Sequence, residues 1–144
     1  LKMNPVTEVK RMGEDYFLNT GSPHLIRFVS DIRNYPVFEE GRALRYSETF
    51  KPGGTNVNFV ELLGDNAIFV RTYERGVENE TLSCGTGVTA AALVVSLRGY
   101  SSPVNIKTLG GDLSVEFKSS HTGTFQEIFL IGPAKMVFEG DLEL

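Results

Sequence analysis

Along most of the 144 residues, apolar and polar positions alternate in short runs broken by glycine-rich turns, a period-two texture that predicts strands. Residues 15–20 and 24–30, the second carrying Leu25, Ile26, Phe28 and Val29, read as two strands joined at Thr20-Gly21-Ser22-Pro23. Residues 56–63 and 67–73 flank Gly64-Asp65-Asn66 and predict a hairpin. A second hairpin is predicted for 104–109 and 113–117 around Gly110-Gly111-Asp112, and a third for 124–131 and 135–138 around Gly132-Pro133. Residues 37–47 break the alternation by placing apolar groups at helical spacing between charges. They predict a surface helix, which Gly41 weakens by about 1 kcal/mol.

The run Val88-Thr89-Ala90-Ala91-Ala92-Leu93-Val94-Val95-Ser96-Leu97 is apolar on nearly every side and ends in Arg98-Gly99, as a buried helix would. A helix with no polar face needs cover all round. The expected fold is therefore α+β: a curved, barrel-like, mostly antiparallel sheet wrapped around a central apolar helix, with a second helix on the surface. No internal repeat or low-complexity linker divides the chain, so residues 1–144 read as one domain.

Composition narrows the function. The chain is 41% hydrophobic and 22% charged, as soluble domains are, and its net charge of −4 offers no basic footprint for nucleic acid. No apolar stretch reaches membrane-spanning length without charge. The single cysteine excludes an internal disulfide framework, fits a reducing cytoplasm, and with only two histidines leaves no metal-ligand cluster at recognisable spacing. No lysine stands in a glycine-rich setting suited to a Schiff base.

That cysteine, Cys84, falls where a polar turn becomes Cys84-Gly85-Thr86-Gly87 and then the buried helix. A helix start presents unpaired N–H groups and the positive end of the dipole, which favours an anion: the thiolate itself or a ligand carboxylate. A lone cysteine is more often a small buried hydrophobe, but glycines on both sides of Thr86 suit a ligand lying against the amides. Three further segments bring polar groups to strand ends: Gly21-Ser22-Pro23-His24, Asn56-Val57-Asn58-Phe59 and Tyr73-Glu74-Arg75-Gly76. Individually these read as a structural histidine, capped strand ends and a solvated ion pair. Jointly they supply a thiol acid or base, N–H groups and Arg75 for a carboxylate, Glu74 for an ammonium and His24 for proton traffic. That inventory suits an amino acid.

In order and spacing, these strings and Gly110-Gly111-Asp112-Leu113 resemble the C-terminal half of diaminopimelate epimerase, from about Tyr16 to Leu144. The resemblance implies a cofactor-independent enzyme of two similar domains. It interconverts LL- and meso-diaminopimelate for lysine and cell-wall synthesis. Cys84 would then be one of two catalytic cysteines, base toward one stereoisomer and acid toward the other. His24 and Glu74 would assist its ionisation, Gly85 and Thr86 would hold the α-carboxylate, and Glu74, Arg75 and Asn56 would contact the substrate's polar groups. Ser22 stands where the family often has asparagine, and a serine reaches less far toward the distal end.

Epimerisation needs acid and base on opposite faces of one carbon, and this chain has one thiol. With its start at Leu1-Lys2-Met3, the expectation is a C-terminal piece that lacks turnover alone. The partners implied are diaminopimelate, an N-terminal domain of the same enzyme and, as a candidate, a second copy in a homodimer. Proline racemase-like and phenazine-pathway isomerases share the two-domain plan and remain alternatives. So does a non-catalytic amino-acid-binding or dimerisation module, which would keep its ligand after loss of the Cys84 thiol.

Overall fold

The computed structural model describes residues 1–121 and 123–144. Its strands are β1 (Lys2–Met3), β2 (Val9–Met12), β3 (Asp15–Asn19), β4 (Pro23–Phe28), β5 (Asn56–Gly64), β6 (Ala67–Glu74), β7 (Asn79–Thr81), β8 (Val104–Thr108), β9 (Gly111–Ser119) and β10 (Phe125–Ile131). The helices are α1 (Val37–Arg45) and α2 (Gly85–Ser96). One sheet runs in the order β1-β10-β9-β8-β6-β5-β4-β3-β2, with β7 added beside β6, and curls into a half-barrel.

Two of the pairings are parallel, β4 with β5 and β6 with β8, so the sheet is mixed. Parallel neighbours need a long crossover, and the two helices provide them on opposite faces of the sheet. The first crossover carries α1 across the convex face. The second carries α2 through the concave one, against β3, β4, β5, β6, β8, β9 and β10. Gly87 to Val95 are all buried, which is why this helix lacks a polar side.

Strand alternation sorts the side chains between two cores. Ile26, Val60, Ile68 and Val70 pack inward on α2 with Val115, Phe125 and Ile128. Leu25, Val57, Phe59, Phe69 and Tyr73 pack outward with Ile32 and Val37. Gly41, which weakens α1 by propensity, is required by packing: a Cβ there would lie 2.4 Å from Tyr73 Cβ.

The third predicted hairpin does not form. β10 pairs with β9 and β1 instead, and residues 132–144 carry no strand, with Met136, Val137 and Phe138 exposed. Lys135-Met136-Val137-Phe138 thus has strand composition but no partner among the described residues, and composition alone does not make a strand. One more difference is small: β7 arises within the polar stretch before Cys84, whose composition predicts a turn. α2 starts at Gly85 with Cys84 just before its first turn, where the sequence puts the helix start. Among the described residues no helix is long and apolar enough to cross a membrane.

Candidate functional site

The inward-facing positions at one end of β4, β5 and β6 are polar: His24, Asn56, Asn58 and Thr72, each buried. The parallel β4–β5 register sets Asn56 beside His24 and Asn58 beside Ile26, and the antiparallel β5–β6 register sets Asn58 opposite Thr72. A polar row therefore crosses three strands below the start of α2. Every buried side-chain nitrogen and oxygen among the described residues has a hydrogen-bond partner.

Cys84 is the N-cap of α2, half-buried and extended at φ −128°, and its carbonyl accepts the Val88 N–H at 2.9 Å. The N–H groups of Gly85, Thr86 and Gly87 have no acceptor among the described residues, as expected for a first helical turn without a capping side chain. The loop between β3 and β4 holds this turn from one side: Thr20 Oγ1 donates to the Thr86 carbonyl at 2.7 Å, and Gly21 N donates to Asn19 Oδ1 at 2.8 Å.

The thiol meets the polar row through Thr86. Cys84 Sγ lies 3.6 Å from Thr86 Oγ1, which lies 2.8 Å from His24 Nε2. Ser22 Oγ joins the same cluster, 3.0 Å from His24 Nε2 and 3.2 Å from Thr86 Oγ1. On the other side of the ring, His24 Nδ1 is 3.0 Å from Asn58 Nδ2. Burial, and after it the positive charge of Arg75, pushes the His24 pKa down to about 4, so the ring is neutral at physiological pH.

Asn56 ties two of the sequence motifs together. Its Nδ2 donates to the Pro23 carbonyl at 2.9 Å and to Ser22 Oγ at 3.3 Å, while its Oδ1 accepts the Arg75 N–H at 2.8 Å. Glu74 and Arg75 do not form the ion pair that their adjacency suggested. Glu74 Oε2 accepts from Thr81 Oγ1 at 2.9 Å, and Arg75 Nη1 donates to the Gly53 carbonyl at 3.1 Å. Arg75 makes no salt bridge among the described residues, so its charge is available to an anion. Its turn is braced by Glu78, which accepts from Gly76 N, Tyr46 Oη and Arg45 Nε at 2.7, 2.6 and 3.0 Å.

Ser22, His24, Cys84 and Thr86 thus share one hydrogen-bonded cluster, and Asn56 joins it to the backbone of Arg75. Glu74 bonds to Thr81, and no hydrogen bond joins it to His24 among the described residues. Gly87 has a packing reason to be glycine: a Cβ would sit 2.3 Å from Asn58 Oδ1 and 3.3 Å from His24 Cε1. Gly85 faces Leu130, whose Cδ2 a Cβ would meet at 3.0 Å. Asn58, Thr72 and Thr20 were not singled out by sequence reasoning. The signal for Asn58 was present, because two asparagines separated by one residue in a strand share a face, and only a polar partner makes that tolerable. Among the described residues no group of three or more His, Cys, Asp or Glu could hold a metal.

A curled sheet around a buried helix is the fold of solved phenazine biosynthesis proteins of the PhzF family. The Enterococcus faecalis structure matches with a TM-score of 0.51 at 15% identity, over 82% of this chain and 41% of that one. The Bacillus anthracis structure matches at 0.50 and 22% identity, over 86% and 39%. These define the fold class alone. The sequence is more specific: the diaminopimelate epimerase family model matches residues 16–137, and the chain belongs to that family. Proteins named diaminopimelate epimerase from Flavobacterium psychrophilum and Aquifex aeolicus are 45% and 48% identical over 96% and 88% of this chain. One from Methanococcus maripaludis is 36% identical over 98%. The chain spans about half the length of these relatives, 55%, 45% and 51% respectively.

Proposed function

We propose that this chain supplies one half of the active site of a diaminopimelate epimerase, with Cys84 as the proton-transfer group on one face of the substrate's α-carbon. The observation that carries the reading is the thiol at the N-cap of α2 beside three unpaired N–H groups. A substrate α-carboxylate seated on the N–H groups of Gly85, Thr86 and Gly87 would bring the α-carbon near Sγ. As the C–H bond breaks, negative charge spreads into that carboxylate, and the helix N-terminus stabilises it where it forms. Arg75, whose guanidinium has no carboxylate partner among the described residues, and Glu74 would face the polar ends of the diamino diacid. Asn56 would place them by holding the Arg75 backbone.

Inversion requires a second acid or base on the opposite face. No other thiol exists in the chain, so that group comes from an N-terminal domain of the same enzyme, and the isomerase would serve lysine and peptidoglycan-precursor synthesis. The chemistry assigned to Cys84 uses a thiol and backbone N–H groups and calls on no pyridoxal phosphate. The test compares LL-to-meso conversion by the 144-residue chain alone and by the same chain joined to the N-terminal half of the Aquifex aeolicus relative. Turnover in the joined protein alone supports the reading. Turnover by the chain alone, or by neither, contradicts it.

A further inference from the structure

Hydrogen-bond direction in the buried row is set by groups that have no choice. The Leu25 carbonyl can only accept, so the Asn58 atom 3.0 Å from it is the amide nitrogen. That leaves Asn58 Oδ1 facing Thr72 Oγ1 at 2.8 Å, where the hydroxyl donates, and turns the second N–H of Nδ2 onto His24 Nδ1 at 3.0 Å. His24 Nδ1 therefore accepts, and the ring proton is on Nε2. From there it donates to Thr86 Oγ1 at 2.8 Å, with Ser22 Oγ as the alternative acceptor at 3.0 Å. Thr86, already accepting, has its own proton to give to Cys84 Sγ at 3.6 Å, with Ser22 Oγ at 3.2 Å as the competing acceptor.

We propose that Asn58, oriented by the Leu25 carbonyl, is a positioning residue that locks His24 in its Nε2–H tautomer, so that Thr72, Asn58, His24 and Thr86 form a one-way chain of donors ending on the Cys84 sulfur. This rests on the reading of Cys84 as a proton-transfer group and changes the role of the histidine within it. The bare nitrogen, Nδ1, lies on the side of the ring away from the thiol and is already filled by the Asn58 amide. His24 therefore does not take the thiol's proton; it strengthens Thr86 as a donor to the thiolate. A proton taken by Cys84 from an α-carbon stays on sulfur until it returns to an α-carbon or leaves to water. Protonating Nδ1 would require the Asn58 amide to turn over, which sacrifices the bond to Leu25 and sets the amide oxygen against that carbonyl, while Thr72 Oγ1 would turn to accept from Nδ2. Gly87 belongs to the same device, since a side chain there would displace Asn58 Oδ1.

The direct test is nitrogen NMR of the 144-residue chain carrying imidazole-¹⁵N histidine, with His121→Gln removing the second histidine's signals. Above pH 6, His24 is expected to show a protonated Nε2 and a bare Nδ1, and a proton on Nδ1 overturns the proposal without any variant in the row. Asn58→Asp offers Nδ1 an acceptor and should move a proton onto it. Thr72→Val leaves the Leu25 carbonyl facing Nδ2 and should keep the single form. A bare Nδ1 persisting in Asn58→Asp, or mixed tautomers in Thr72→Val, would overturn the assignment. At the sulfur end, Thr86→Val should slow alkylation of Cys84 by iodoacetamide roughly tenfold, the loss expected for one hydrogen bond to a charged atom. An unchanged rate removes sulfur from the chain. These readouts use no diaminopimelate, so loss of the epimerase assignment and loss of the tautomer lock would be seen separately.

Discussion

Replacing Gly87 by alanine sets two effects of opposite sign against each other. Helix propensity alone favours alanine by up to about 1 kcal/mol, because glycine loses more backbone entropy on folding. Packing opposes it. The new methyl would lie 2.3 Å from Asn58 Oδ1 and 3.3 Å from His24 Cε1, and Asn58 cannot retreat without giving up partners. Its amide bonds to Thr72 Oγ1, Leu25 O and His24 Nδ1 at 2.8, 3.0 and 3.0 Å are all buried. Each buried polar group left without a partner costs about 1–3 kcal/mol, and at least one is orphaned when the amide moves. The net expectation for Gly87→Ala is a loss of about 2 kcal/mol, which for a chain of this size lowers Tm by roughly 6–8 °C. Thermal unfolding followed by circular dichroism, with urea titration as a second measure, reads this directly. A variant as stable as the parent, or more stable, would refute the close approach of α2 to Asn58 and with it the fixed amide.

Acid should weaken the fold through His24. Its pKa is about 4 in the folded chain, below the ordinary 6.5, so between those values the unfolded chain binds a proton that the folded one refuses. Stability contributed by the neutral ring is complete above pH 6.5 and falls with pH toward 4, by about 3 kcal/mol in all. Urea midpoints of the parent and His24→Gln should therefore converge on acidification, and parallel losses would contradict the burial of a neutral ring. Gly41→Ala should cost about 1–2 kcal/mol net of propensity, because its Cβ would collide with Tyr73 at 2.4 Å. Urea unfolding checks it, and a neutral result would mean that α1 sits further from β6. Arg75→Gln in the joined enzyme should raise KM more than tenfold, as loss of a charge-assisted contact to a carboxylate does, with less effect on kcat. An unchanged KM would remove Arg75 from the substrate.

Much of the fold was legible because two periods carried it. Alternation located β3 to β6 and β8 to β10, and a run with no polar side identified α2 as the enclosed helix. Pairing was less legible. Nothing in the composition of β4 or β6 says that its next neighbour is parallel, because that depends on which face each helical crossover takes. β7, with the sequence Asn79-Glu80-Thr81, is too short and polar to announce itself, and it exists because Glu80 is held by Arg71 in a bidentate pair at 2.6 and 2.7 Å. At the site, residue types that carry chemistry stood out: Cys84, His24 and Arg75. Those that aim them did not. Asn58 and Thr72 become meaningful only when register places them opposite each other, and Gly87 only when Asn58 Oδ1 occupies the space of its missing side chain.

The central claim, that Cys84 moves the substrate's α-proton, is tested most directly by solvent deuterium entering diaminopimelate. In the chain joined to an N-terminal half, with LL-diaminopimelate in heavy water, the parent should produce meso product deuterated at the inverted carbon. Cys84→Ala should abolish inversion while the tautomer of His24 stays as it is. Inversion persisting at the parental rate without the Cys84 thiol would contradict the account.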